Sequence, residues 1–322
     1  MKALLATLLA LCLTLAVQPA LGDLAEGIAL YETGNITAAQ TIFADIVATQ
    51  PDNAAAIYHL GVTQLAQSNL EEAVTSFEHA VKLDENVSAY HQRLGEALGS
   101  LAGDVGPLKQ MRMAGRIHDA FERAVELDEE NIEARFGLIT YYINAPGIAG
   151  GSSKKAAVQA AAIQKLDPNQ GHIAFASVYS NDGEHEKAEA AYRAAIEAAP
   201  EKSDAYLALG IMLTDQERFA DAIKTYEDRL EIEPDDMAIL YQLGRTASIS
   251  GQFLEQGRTA FEAYTNGYIP KPGEPSVAWA NYRLGLIHEH LGENDHARAA
   301  YETALALDPK HKQAKKALRR VR

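Results

Sequence analysis

The feature that most constrains this chain is a motif that returns along it. Leu60-Gly61 is followed by Ala73 and Phe77, Leu209-Gly210 by Ala222 and Tyr226, and Leu284-Gly285 by Ala297 and Tyr301. In each copy the alanine stands 13 residues after the leucine, and the aromatic four after the alanine. A spacing of four puts both on one side of a helix. The alanine place recurs at Ala39, Ala73, Ile117, Ala156, Ala188, Ala222, Gly257 and Ala297, at intervals of 34, 44, 39, 32, 34, 35 and 40. The aromatic place holds Phe43, Phe77, Phe121, Tyr192, Tyr226, Phe261 and Tyr301, with Ala160 in the fourth copy. Such a period marks a helical unit that cannot enclose its own apolar side and is stabilised by stacking on its neighbours.

Punctuation between the helices follows the same period. Gly34, Gly183, Gly251 and Gly292 fall where a first helix must stop in a left-handed residue. Pro51, Pro168, Pro200, Pro234 and Pro309 end the second helix of a unit. Gly61, Gly95, Gly210, Gly244 and Gly285 are expected to let the two helices approach, with alanine opposite and the aromatic filling the space towards the next helix.

The pattern resembles the tetratricopeptide repeat, a helix–turn–helix unit of about 34 residues, over nearly all of residues 23–310. The resemblance implies an all-α, right-handed superhelical α-solenoid of about eight repeats, with a concave groove formed mainly by the first helices. Places five and nine of each first helix would face that groove, which names Tyr58, Val62, Phe136, Thr140, Tyr241, Arg245, Tyr282 and Leu286. Aromatics among scattered polar groups suit an extended peptide or a partner helix. The resemblance therefore implies a protein or peptide partner and no cofactor. Tyr58, Gln92 and Tyr241 stand where chaperone-binding members carry the lysine of a carboxylate clamp, so chaperone-tail binding is not expected.

Both ends differ from the repeats. Residues 1–22 carry one charge, Lys2, then an apolar run from Ala3 to Val17 and small residues at Ala20 and Gly22. This is the order of a secretory signal peptide cleaved after Gly22; the run of 15 residues is short of the ~20 needed to span a bilayer. Leu11 before Cys12 argues against a lipid-modified cysteine. No later stretch approaches spanning length, so the mature chain is expected to have no integral span. Residues 310–322 hold seven Lys or Arg and no acid, with Ala314, Leu318 and Val321 on one helical side, and read as a terminal capping helix.

Charge and composition narrow the function classes. The chain is 47% hydrophobic, which excludes a disordered chain. The net charge of −15 argues against a nucleic-acid groove. The one cysteine lies in the signal segment, so thiol catalysis and a thiolate zinc site are excluded. There is no HExxH, GxSxG or GxxxxGK[ST]. Acidic pairs such as Glu129-Glu130 and Asp235-Asp236 sit at inter-repeat links, where they favour the next helix N-terminus. His288, His290 and His296 lie near the last turn, but His288 and His290, two apart, face different directions on a helix where a metal pair would share a side, and no metal site is expected.

Two insertions break the period. Residues 145–155 replace the short turn of the fourth unit. Gly150-Gly151 can expose successive amides, Ser152 or Ser153 can cap the next helix, and Lys154 and Lys155 sit in its first turn. Lysines there oppose the helix dipole, so an anion held by Gly150, Gly151, Ser152, Lys154 and Lys155 would relieve the conflict; the alternative is a capped surface loop. Residues 99–115 are expected to lengthen the helices of the third unit and present Lys109, Arg112, Arg116 and His118 as a basic side. The sequence is thus read as an exported, non-catalytic scaffold that binds a partner in its groove, in a bacterial periplasm or secreted, within an envelope complex. The competing class is an envelope hydrolase or transferase with carboxylates or His converging beside the loop of unit four.

Overall fold

The computed structural model describes residues 23–103, 105–271 and 273–321; the expected signal segment, 1–22, lies outside them. The described residues form seventeen α-helices and one short 3-10 turn, with no strand among them. They run as eight hairpins and a last helix. The hairpins are α1 Leu24–Glu32 with α2 Ile36–Thr49, α3 Ala54–Ala66 with α4 Leu70–Leu83, α5 Ser88–Gly103 with α6 Pro107–Leu127, and α7 Ile132–Asn144 with α8 Ser153–Leu166. They continue as α9 Pro168–Asn181 with α10 His185–Ala198, α11 Asp204–Asp215 with α12 Phe219–Leu230, α13 Met237–Ser250 with α14 Leu254–Thr265, and α15 Val277–Leu291 with α16 Asn294–Leu307. Helix α17 is Lys312–Leu318. Each helix packs chiefly on the helices next to it in sequence, which is the contact pattern of an α-solenoid.

The recurring residues build the core, but with one correction. Phe43, Phe77, Tyr226, Phe261 and Tyr301 are fully buried, each ring contributing about 1.5–3 kcal/mol by leaving water. A Cβ on Gly61, Gly210 or Gly285 would lie 2.8, 2.2 or 2.3 Å from the ring of Phe77, Tyr226 or Tyr301. The glycine therefore makes room for the aromatic of its own hairpin, not for the alanine expected opposite it.

The turns keep the period as well. Gly34, Gly183, Gly251 and Gly292 all have positive φ, and Ser68 and Glu217 take the left-handed place in the hairpins that lack glycine there. The intervals have structural causes. Asp167 alone joins α8 to α9, ending one helix and capping the other through bonds from the Asn169 and Gln170 amides, which shortens that interval. The 44-residue interval from Ala73 to Ile117 comes from α5 and α6, of 16 and 21 residues. At another link Asp236 caps α13 and receives Arg229 Nε at 2.9 Å, both side chains 8% exposed. On α17 and just beyond it Ala314 is buried, and Ala317, Leu318 and Val321 are buried together with Ala297 and Tyr301 of α16.

Candidate functional site

A cleft of about 1180 Å³ opens along repeats two to four. Its cause is visible in α5, where Gly95, Gly99 and Gly103 follow at four-residue spacing and leave one helix side without side chains. A Cβ on Gly99 or Gly103 would meet nothing within 4 Å. Opposite stand Phe136, Thr140 and Tyr141 of α7, with Val62 and Leu65 of α3 at one end. Helix α6 adds Met111 from its extra N-terminal turns, together with Ala114 and Ile117. Phe121 is the floor: Cβ atoms on Gly95 and Gly137 would lie 2.8 and 2.3 Å from its ring, so it is wedged between the third and fourth hairpins. Gly273, from the link between α14 and α15, also reaches this cleft.

The walls are largely apolar, with a few placed charges. Arg93 Nη1 donates to Glu96 Oε2 at 2.6 Å, both side chains about a third exposed at 38% and 30%. Burial works against the Arg93 charge, yet the adjoining Glu96 carboxylate outweighs it and holds the guanidinium pKa above its usual value. Burial likewise pushes the Tyr31 and Tyr141 hydroxyls up, so both stay protonated donors at neutral pH. Such a surface binds apolar side chains and orients them by a few polar contacts.

Of the eight residues expected in the groove, Val62, Phe136 and Thr140 line the cleft. The other five are placed elsewhere. Tyr58 is half-buried, its ring 5.0 Å from Tyr90 on the next first helix and 5.8 Å from Phe77. Tyr241 is 6% exposed and packs against Phe261 and Tyr264. Tyr282 and Leu286 lie in the cluster that α17 covers, with the Tyr282 ring 5.1 Å from His311. Arg245 is half-buried, away from the cleft lining. The Tyr58, Tyr241 and Tyr282 rings at place five pack on neighbouring rings, whereas Phe136 at the same place faces the cleft. The sequence did not point to Arg93 or Glu96, for which the glycine stripe on α5 was the signal, whereas Met111 and Ala114 lie in the 99–115 insertion already singled out.

The loop of repeat four is closed on itself. The Gly150 amide donates to Gly147 O at 3.1 Å, that of Gly151 to Pro146 O at 3.2 Å, and that of Ser152 to Tyr142 O at 2.8 Å. The successive free amides expected at Gly150 and Gly151 are therefore committed internally, and the anion cradle they would form is not there. Ser152 does cap α8, accepting from the Lys155 amide at 3.3 Å. Lys154 and Lys155 are exposed, with Lys155 Nζ 5.4 Å from the centre of the Tyr142 ring.

Near this loop, His118 Nε2 is 3.1 Å from the Tyr142 hydroxyl and its Nδ1 is 3.3 Å from Asp119 Oδ1. These groups tie α6 to α7 and do not line the cleft. Lys109, Arg112 and Arg116 are exposed on α6, Arg116 pairing with Glu78 of α4. In the last hairpin His288 and His290 diverge: His290 lies over Gly251, while His288 Nδ1 is 2.6 Å from Glu293 Oε2. No described helix is long and apolar enough to cross a membrane.

A solenoid of helical hairpins with a partly apolar cleft defines the class, a helical-repeat protein. Tetratricopeptide repeat family models match residues 24–88, 173–238 and 278–311, and the chain belongs to the tetratricopeptide repeat family. Tetratricopeptide repeat protein 37 of Xenopus laevis is 24% identical over 242 residues, 73% of this chain and 15% of that protein. Superkiller complex protein 3 of Mus musculus is 23% identical over 266 residues, 71% of this chain and 17% of that protein. The chain thus spans only about a sixth of the length of these curated relatives. Among solved structures, yeast Tom70 aligns with a TM-score of 0.67 at 14% identity, covering 96% of this chain and 65% of that one. A tetratricopeptide repeat protein from Parabacteroides merdae aligns with a TM-score of 0.51 at 14% identity, covering 92% and 96%. These likenesses show the fold. Membership of this repeat family makes the chain a protein-interaction scaffold.

Proposed function

We propose that this chain is an exported, non-catalytic adaptor that holds a protein or peptide partner, by its apolar side chains, in the cleft of repeats two to four. The observation that carries this reading is the cleft itself: about 1180 Å³, walled by Met111, Ala114, Ile117 and Phe136, with the Arg93–Glu96 pair beside the glycine side of α5. Export is supported by the order of residues 1–22 and by Asp23, whose carboxylate accepts the Glu26 amide at 2.7 Å. Cleavage after Gly22 leaves that helix cap intact, and a mature N-terminus at Asp23, read by terminal sequencing of chain recovered from its own cells, checks it. An envelope complex is the setting this reading gives the scaffold.

Gly99→Leu tests the cleft. Its side chain enters open space, and leaving glycine in a helix favours folding by about 0.8–1 kcal/mol. Binding of a partner caught by a photoreactive group at Met111, then purified, is expected to weaken about tenfold or more, roughly 1.4 kcal/mol, with the melting temperature unchanged or raised. Equal affinity for Gly99→Leu and the parent chain rejects the cleft as the docking site.

A further inference from the structure

We propose that the turn of repeat eight is a binding site for a zinc-class divalent ion, with His288, Glu293 and His296 as its protein ligands. The three side chains come from two helices and meet across one turn. His288 Nδ1 is 2.6 Å and His296 Nδ1 3.7 Å from the same oxygen, Glu293 Oε2, and the three ligand atoms all lie within 4.8 Å of one another. Donors bound tetrahedrally at about 2.0–2.2 Å stand about 3.3–3.5 Å apart. Small side-chain rotations therefore suffice: the His288–Glu293 contact opens and the His296–Glu293 contact closes slightly.

The backbone holds this arrangement without the ion. Gly292 turns at φ 77, and the Glu293 amide donates to His288 O at 2.9 Å, fixing the end of α15 against the start of α16. His296 is one helical turn beyond Glu293 and shares its side of α16. Exposure rises across the site, from 11% for the His288 side chain to 35% for Glu293 and 73% for His296, so the remaining coordination position opens to water. Two imidazoles with one carboxylate suit zinc, copper or nickel and not calcium or magnesium, which take oxygen.

Proton balance is simple. In the ion-free site the His288 Nδ1–H donates to Glu293, a bond that holds the Glu293 carboxyl below its usual value. On binding, the ion takes the Nδ1 lone pair, so the proton on Nδ1 leaves that atom and the ring keeps its N–H at Nε2. Arg258 of α14 acts on the Glu293 charge from the neighbouring hairpin and opposes a second cation, which limits affinity without blocking any ligand atom. The other grouping of this kind, His118 with Asp119 and Glu122, offers one imidazole, and its Nε2 contacts the Tyr142 hydroxyl. It serves as the internal control.

Titration of the full chain with Co²⁺, read by the visible absorption of tetrahedral cobalt and followed by Zn²⁺ displacement, tests the site. One equivalent per chain is expected, with affinity falling at least tenfold in His288→Gln and in His296→Gln and unchanged in His118→Gln. His296 is exposed, so His296→Gln keeps its fold even where His288→Gln does not; melting curves taken without metal establish this. Absence of the cobalt spectrum, the same affinity in His296→Gln as in the parent, or loss of binding in His118→Gln overturns the proposal.

Discussion

Gly210 and Tyr226 show at the scale of one residue how this fold is held. The Tyr226 ring is fully buried where a Gly210 side chain would begin, and burial pushes its hydroxyl pKa up to about 12. Gly210→Ala forces the ring off its position and is expected to cost about 1–3 kcal/mol in urea unfolding. Removing the hydroxyl and ring in the double variant Gly210→Ala, Tyr226→Leu should recover part of that loss, since the clash is gone. The turn residues allow the opposite experiment. Glu217 and Ser68 hold φ of 58 and 61, where a Cβ is strained. Glu217→Gly and Ser68→Gly are each expected to raise the unfolding midpoint, by about 0.5–1 kcal/mol. The special glycines were legible from spacing alone, but their partner was not. Linear spacing says which residues share a helix side; it does not say which side chain the neighbouring helix turns towards them. The same gap explains Tyr241, Tyr282 and Leu286, whose side chains pack against neighbouring elements.

At the scale of the element, helix limits were readable because glycine and proline mark them physically, and the hairpin order follows from the period. The cleft was less legible. It was expected to be formed mainly by first helices, yet Met111, Ala114 and Ile117 of α6 also reach it. Helix α17 illustrates a cap whose chemistry depends on pH. His311 Nδ1 accepts the Ala314 amide at 3.2 Å, and the ring is buried beside Trp279 and Tyr282. Burial lowers the His311 pKa, against an opposing pull from Asp308. Below the ordinary imidazole value the unfolded chain then holds a proton that the folded one resists, so stability is full above that value and falls as pH drops through the lowered one. Protonation also removes the lone pair that caps the helix. Relative to the intrinsic rate, which itself falls with pH, hydrogen exchange at Ala314–Leu318 is expected to quicken as pH drops from about 7 to about 5. In His311→Asn, which keeps a capping oxygen and cannot titrate, that quickening should vanish; if it persists, the pH response lies elsewhere.

Among the described residues the molecule behaves as a line of neighbours with a cross-tie. Helices contact mainly those adjacent in sequence, so stability is a sum of hairpins and the interfaces between them. The exception is the link of residues 266–276. It is braced by Tyr264 Oη donating to Pro275 O at 2.6 Å and by Glu274 accepting from Tyr268 and from the Lys271 amide. From there Ile269 stands 3.9 Å from where a Gly34 side chain would begin, and Gly273 reaches the cleft of repeats two to four. Deleting residues 310–322 distinguishes the line from the tie. The deletion uncovers Tyr301 and Ala297, which α17 buries, so α15 and α16 should lose exchange protection. With nearest-neighbour coupling alone, α1 to α8 keep theirs. Protection lost in α1 and around the cleft as well means that the link couples the last repeats to the first, and that the terminal helix acts on the docking surface through it.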